Sequence, residues 1–472
     1  MYDVLSHDDL YNIHLATTEV LERVGVLVEN EEVLELLHKA GANVDKKARK
    51  ARIPEYLLKE GIRKAPSSFV VYSQDGRKVM IGGDKTVISS GAGASWMLDL
   101  ETGEPRPATK KDSEHYAIVT DACDQFSLCM SPIIQDVTPV LVDVHSAEAM
   151  ICNTYKTPWV CPGDGKQAGY IIDIAAIAAG GTDELRKRPI LLGLASPNSP
   201  LRLASRDLEV TFQFVKNKLP ITFINCPNNG ATTPVSIAGT LVVTAAECLS
   251  MVLIAELINP GNPVAAGPSP PFMDMRTATP AFGAPEGALV VAGATQIMRY
   301  YGIPSYGSIV SSDSIVIDAQ TGYEIAWTAQ LPLMAGINLV NGIGLIASCN
   351  GCSLEKLVID NEVFGGIRRI MKGIEVSETS LAVDVIEAVG PGGHFLAQKH
   401  TREQLKKERW FPKISNRLGL QEWKKEKQDL WQRARKEVKE ILQTHHPQPL
   451  EKTVEEKIKD LVRKAERETV TK

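Results

Sequence analysis

Residues 302–360 read GIPSYGSIVSSDSIVIDAQTGYEIAWTAQLPLMAGINLVNGIGLIASCNGCSLEKLVID, and the order of patterns in this stretch decides the fold. An apolar strand runs into a polar loop (Ser311, Ser312, Asp313, Ser314). A helix follows through Gln320, Glu324 and Gln330, and then a second apolar strand from Gly336 to Ala347. That strand ends in another small polar loop, Ser348-Cys349-Asn350-Gly351-Cys352, before a helix beginning Leu354-Glu355-Lys356-Leu357. Short continuous apolar runs, each followed by a polar loop and a helix, are the pattern of parallel strands joined by crossover helices.

The pattern extends upstream. Apolar runs at Phe126–Ile134, Pro158–Pro162, Pro189–Ala195, Pro220–Asn225, Asn262–Gly267, Ile303–Val310 and Gly336–Ala347 precede helix-like segments. Their spacing, roughly 30 to 40 residues, is what one βα unit occupies. An eighth run is either Thr86–Ser90 or Gly390–Phe395. The count favours an α/β fold of the (β/α)8 barrel type over an open doubly wound sheet. No G-x-G-x-x-G follows a first strand, which disfavours a dinucleotide fold.

Residues 1–65 carry helical spacing, with Gly25 and Gly41 as stops and Asn30 as a cap. Residues 69–100 switch towards a period of two, and Asp75-Gly76 between two such runs signals a hairpin. We therefore expect an N-terminal α+β cap over residues 1–108, a barrel over 109–396 and a helical extension over 397–472. The extension is basic. From Leu396 onward there are 21 Lys and Arg against 13 Asp and Glu, leaving 31 against 44 upstream, within a net charge of −5 for the 472-residue chain. Such a charged helical segment reads as a solvated extension, although Trp410, Phe411, Trp423 and Trp431 offer anchors.

With 44% apolar and 23% charged residues the composition is that of a globular protein with ample core. The N-terminus is acidic and amphipathic, unlike a signal peptide, and no run of 18 apolar residues stands out. The eight cysteines mostly lie within apolar runs and read as reduced, buried thiols. The expectation is a cytoplasmic protein with no membrane span and no nucleic-acid partner.

In a βα barrel the chemistry lies in the loops after the strands. Here those loops hold Ser131 and Gln135; Gly163 and Asp164; Asn198; Asn225, Asn229 and Thr232; Asp274 and Arg276; Ser312 and Asp313; and Cys349 with Asn350. They contain no His cluster at metal spacing, no pair of Glu at strand ends and no strand-end Lys. Cys349-x-x-Cys352 is a weak zinc or redox signal without a second pair. Glu324 and Glu355 sit early in helices, where carboxylates favour the helix dipole.

Several strings then resemble one family: Asn229-Gly-Ala-Thr-Thr-Pro-Val235 through Thr240, Ala284-Pro-Glu286, Ser312-Asp313 with Asp318-Ala-Gln320 and Tyr323-Glu324, Leu357-Val-Ile-Asp-Asn-Glu362, and Gly390-Pro-Gly-Gly-His-Phe-Leu396. As an ordered set running to about Asn416 they resemble the trimethylamine methyltransferase family. The resemblance implies a (β/α)8 barrel that moves a methyl group from a methylated amine to cobalt of a separate corrinoid protein, in one-carbon metabolism. Founding members carry pyrrolysine near a late strand end, where this chain reads Ser348-Cys349-Asn350-Gly351, all standard residues. It is therefore similar to the branch without pyrrolysine.

That difference bears on the substrate. A tertiary amine leaves as an amide-like anion unless its nitrogen is first made cationic, whereas a quaternary ammonium leaves as a neutral amine. Attack by Co(I) on the latter needs positioning and desolvation rather than covalent help. The expectation is a methyltransferase for a quaternary amine of betaine type (proline betaine, glycine betaine or carnitine), with the corrinoid carried by the partner protein and no bound metal. Trp96, Trp159, Phe223, Tyr306 and Phe282 are candidates for an aromatic cage. Arg276 or Arg202, or Asn198, Asn225 and Asn229, are candidates for a substrate carboxylate, with Thr232 beside them. Asn350 and Glu324 are expected to act by positioning, and the enzyme to be a homo-oligomer. The competing expectations are a zinc-assisted methyltransferase using Cys349 and Cys352, and a non-catalytic amine-binding barrel.

Overall fold

Eight parallel strands, each followed by a helix, form the centre of the computed structural model, which describes residues 2–470. In chain order they are β1 (Val87–Ser90), α1 (Lys110–Ala122), β2 (Leu128–Cys129), α2 (Val142–Asn153), β3 (Thr157–Val160), α3 (Gly165–Ala179), β4 (Leu192–Ala195), α4 (Ser205–Lys216), β5 (Ile221–Asn225), α5 (Ile237–Ile258), β6 (Val264–Pro268), α6 (Pro285–Tyr300), β7 (Tyr306–Ser308), α7 (Ala319–Met334), β8 (Leu339–Ile343) and α8 (Leu354–Met371). The sheet runs β6-β5-β4-β3-β2-β1-β8-β7. A single parallel bridge between Ala266 and Ser305 closes the remaining seam, where Ala266 N donates to Pro304 O at 3.0 Å. The (β/α)8 expectation holds, and Thr86–Ser90 supplies the eighth strand. Gly390–Phe395 instead forms a turn on an exposed arm.

Inward-facing Leu128, Trp159, Leu192, Ile224, Tyr306 and Leu339 fill the barrel, packed against Phe69, Val71 and Ile81. The last three belong to an antiparallel hairpin, Ser68–Tyr72 with Lys78–Gly82, whose turn contains Asp75-Gly76 with Gly76 at φ 87°. It docks where the strands begin: Tyr72 N donates to Pro189 O at 2.8 Å and Thr157 Oγ1 donates to Tyr72 O at 2.9 Å. The hairpin plugs the N-terminal end of the barrel, which leaves the C-terminal end as the way in.

The cap helices His7–Glu19, Glu31–Ala40 and Glu55–Ile62 pack on α5 from outside. Asn30 caps the second of them, accepting from Val33 N at 3.1 Å, and Gly41 ends it at φ 107°. Helix α5 passes the length and composition test for a membrane span, contrary to the sequence reading. The reason is all-round burial between the barrel and the cap helices, not lipid. Its Glu247 and Glu256 are both fully buried and hydrogen-bonded.

Two boundaries differ from expectation. The barrel starts at Val87, inside the segment assigned to the cap, because a four-residue strand directly after a hairpin reads as part of that hairpin. It ends with α8 at Met371. From there an arm carries the helices Glu378–Leu381, Val383–Val389, Lys399–Glu408 and Leu420–Glu426, none of which buries a residue; Ile374 and Leu396 are 91% and 87% exposed. The chain then returns. Helix Leu430–Thr444 packs on α1 and α8, and helix Lys452–Val470 packs on α2 and α3, burying Ala434, Val438, Ile458, Val462 and Ala465. The basic extension is thus partly a second layer on the barrel and not a solvated appendage throughout.

Candidate active site

A cavity of about 340 Å³ opens at the C-terminal end of the strands. Strand parity decides what lines it, since successive side chains alternate between the barrel interior and the surrounding helices. On β5, Thr222 and Ile224 point inward, whereas Phe223 and Asn225 point outward. Phe223 therefore packs in the outer core, and Asn225 donates to Glu247 Oε2 on α5 at 2.7 Å. On β7 and β8, Tyr306, Ser308 and Asn341 face the cavity.

The aromatic walls are Trp159, Tyr306 and Phe282. Trp159 and Tyr306 meet edge to face, with ring centroids 5.5 Å apart at 88°. Trp159 Nε1 donates to Thr222 Oγ1 at 2.9 Å, and the Tyr306 hydroxyl donates to Asn341 Oδ1 at 2.7 Å. Each ring is thus fixed by its polar end, and both are all but fully buried, so they form the packed floor beneath the cavity. Phe282, in the loop after β6, is held through its backbone: Phe282 N and Gly283 N donate to the two oxygens of Asp313 at 2.8 and 3.0 Å. Ser348 Oγ donates to the same carboxylate at 2.8 Å, so Asp313 joins the loops after β6, β7 and β8. Glu324 stands behind this hub, accepting from Ser312 Oγ at 2.6 Å and Asp313 N at 2.8 Å.

The remaining sequence candidates lie elsewhere. Trp96 is in the short strand Trp96–Leu98, off the cavity, with its ring against Gly351, where an added Cβ would meet the indole at 2.4 Å. Asn198 is tied to Arg202 by two backbone hydrogen bonds. Asn229 donates to Thr240 Oγ1 at 2.6 Å, and Thr232 Oγ1 accepts from Asn228 N at 3.0 Å. Arg276 is 88% exposed and paired with Asp274, and Arg202 is paired with Glu29 on the surface. Asn350 is exposed, its amide donating to Ala347 O and Ser348 O, and it follows three residues in the left-handed region: Ala347, Ser348 and Cys349 at φ 51°, 53° and 67°.

Sequence reasoning missed Asp143, Cys161 and Cys226, all on the cavity wall. Cys161 and Cys226 directly follow strands β3 and β5, so their position was the available signal. Asp143 lies in the first turn of α2, a long loop beyond β2, where an acid ordinarily serves the helix dipole. Burial raises the Asp143 carboxyl to about 6, although Gly163 N donates to it at 2.9 Å. Against the expectation of buried thiols, Cys161 and Cys226 are exposed at the mouth; Cys349 is half-buried, and burial pushes its thiol up to about 12. At neutral pH Cys349 is a thiol, poor as a nucleophile or metal ligand. Cys349 Sγ faces Ser311 Oγ at 3.1 Å, while Cys352 is buried with its Sγ towards Trp96 O at 3.6 Å, so the C-x-x-C pair does not converge on one point. Among the described residues no three His, Cys, Asp or Glu side chains are grouped to hold a metal ion.

The sequence profile of trimethylamine methyltransferase (MTTB) matches residues 1–470. The chain is 33% identical to trimethylamine methyltransferase MttB of Desulfitobacterium hafniense (strain DSM 10664 / DCB-2) over 98% of its length and 94% of that protein. It is 32% identical to the glycine betaine methyltransferase of Desulfitobacterium hafniense (strain Y51), over 98% and 96%. The solved monomethylamine methyltransferase MtmB of Methanosarcina barkeri superposes with a TM-score of 0.51 at 13% identity, covering 92% of this chain and 93% of that one. At that identity the superposition speaks for the fold alone.

Proposed function

The chain belongs to the trimethylamine methyltransferase family, and on that premise we propose that it takes a methyl group from a quaternary ammonium compound and delivers it to Co(I) of a separate corrinoid protein. The observation that carries this reading is the cavity itself: aromatic side chains at the open end of the barrel and no histidine, lysine or arginine on its lining. Such a site can desolvate and orient a cation; Asp143 is the one carboxylate on its lining, and no lysine or histidine is there for covalent catalysis.

In the reaction the C–N bond breaks and its electron pair stays on nitrogen. The two electrons of the new Co–C bond come from Co(I), and the products are a neutral tertiary amine and the methylated corrinoid. No proton moves in this step, so it needs no general acid or base. The protein's part is to hold the ammonium against Phe282, over the floor formed by Trp159 and Tyr306, with one N–CH3 bond directed at the mouth, and to exclude water. Tyr306 and Trp159 are braced by Asn341 and Thr222, and Phe282 by Asp313 with Glu324 behind it. Glycine betaine, proline betaine, carnitine and choline-like cations all fall within the donor class. We place the reaction in the cytoplasm, where a strongly reducing Co(I) acceptor is sustained.

Incubating the purified protein with cob(I)alamin and a panel of quaternary amines, followed by the absorbance change on cobalt methylation, tests the reading. Methylation with at least one quaternary donor is expected; failure of the whole panel, including with a corrinoid protein as acceptor, would refute it. The zinc-assisted reading finds no support in the diverging Cys349 and Cys352 side chains.

A further inference from the structure

We propose that the cavity selects a donor with net positive charge and an uncharged tail, a choline-class cation, and discriminates against betaines through Asp143. The inference rests on the cavity being the ammonium site and deepens that reading by naming the substrate class.

The argument is one of charge inventory. A betaine brings its own carboxylate, which must be met by a cation or by several hydrogen-bond donors when it leaves water. None of the residues lining the cavity is Lys, Arg or His. The two arginines that could have served, Arg276 and Arg202, are on the surface and already paired. Arg206, which acts on Cys161 at one side of the mouth, is paired with Asp207 at 3.3 Å. Asparagines Asn198, Asn225 and Asn229 do not line the cavity.

The cavity does hold an anion. Asp143 is the one carboxylate on its lining, and among the described residues its hydrogen bonding is a single donation, from Gly163 N at 2.9 Å. No cation is paired with it, and the neighbouring Asp164 adds a like charge. A lone carboxylate at an apolar wall is costly unless something positive arrives to meet it. A bound ammonium would supply that charge. A substrate carboxylate a few bonds from the ammonium would instead meet Asp143 and no compensating cation. Of Ser131, Ser196, Ser269 and Ser308 on the lining, the first two already donate to Pro132 O and Ile224 O at 2.9 and 2.6 Å, so Ser269 and Ser308 remain, enough for an alcohol tail and too few donors for a carboxylate.

Choline and glycine betaine share the trimethylammonium head and differ in CH2OH against carboxylate, so they isolate the tail. Calorimetric titration of the full chain at pH 7.5 with choline, glycine betaine and tetramethylammonium is the experiment. Choline and tetramethylammonium should bind, and glycine betaine should bind at least about tenfold more weakly, a gap of about 1.4 kcal/mol. Asp143→Asn should weaken choline by about tenfold or more and bring the choline-to-betaine ratio to within about threefold, while Asp143→Glu keeps the preference. Betaine binding as tightly as choline to the unaltered protein, or an unchanged ratio in a folded Asp143→Asn, would overturn the proposal. The unaltered protein alone suffices for the first of these. Binding with the expected preference but no methyl transfer to any corrinoid would overturn the reaction and leave the cation site standing; methyl transfer from betaine in preference to choline would do the reverse.

Discussion

Replacing Phe282 by Leu removes an aromatic face from the cavity and keeps apolar bulk there. Phe282 is half-buried, and the hydrogen bond that fixes its loop runs from its backbone N–H to Asp313, so the side chain can change without unpairing a polar group. A cation over an aromatic face is worth about 0.5–1 kcal/mol when exposed and about 2 when desolvated. A half-buried wall falls between, so affinity should drop roughly fivefold to thirtyfold. Stability should change by less than about 1.5 kcal/mol, as for a tolerated hydrophobic exchange. Trp96→Leu is the matching control. Its ring packs on Gly351 outside the cavity and covers the backbone of the small sheet formed with Gly351–Cys352, so this change should lower stability by about 1–3 kcal/mol and leave affinity alone. Titration with tetramethylammonium and calorimetric melting on both variants give the four numbers needed. An unchanged dissociation constant in Phe282→Leu, or lost affinity in Trp96→Leu, would refute the assignment of the walls.

Three further outcomes are expected. Cys349→Ser with Cys352→Ser should keep methyl transfer within about tenfold, less than about 1.4 kcal/mol of barrier, in a steady-state assay with matched protein; stoichiometric zinc in the purified unaltered protein, lost together with activity in the double variant, would show that the thiols hold a metal. Lys356 and Asp360 form an ion pair in α8 with both side chains 0% exposed, and they also hold Val310 O and Gly344 N at the ends of β7 and β8. Lys356→Met strands the carboxylate and should cost about 3–5 kcal/mol by denaturant unfolding. Burial raises the Glu247 carboxyl to about 7 against an unfolded value near 4.3, despite donors from Asn225, Leu201 and Ser199. Between those values the folded protein keeps a proton that the unfolded chain has released, so melting temperature should fall as pH rises from about 4.3 to about 7 and then level off; Glu247→Gln should flatten that slope.

The barrel was legible because its later strands are short apolar runs bounded by polar loops, each followed by a helix of the right length. Val87–Ser90 was harder to assign, since it follows the Ser68–Gly82 hairpin almost without a break. The site was only half legible, for a physical reason. A strand buried on both sides shows no hydrophobic alternation, so nothing in Ile221-Thr-Phe-Ile-Asn225 says which face looks inward. A shift of one residue separates Ile224, in the cavity, from Phe223 and Asn225, outside it. Trp96 is drawn from the mouth by pairing with Gly351, some 250 residues away, a contact no local pattern encodes. Asp143 carries the opposite lesson, since its helical position gives it an ordinary local explanation and only the fold turns it into the cavity.

The most direct test of the account is a single-turnover reaction between the purified protein, a quaternary amine that it binds, and one equivalent of Co(I) corrinoid protein, with trimethylamine run in parallel. The account predicts one tertiary amine released for each methylated corrinoid formed, with no transfer from trimethylamine. Amine released without cobalt methylation, or equal rates from trimethylamine, would contradict it.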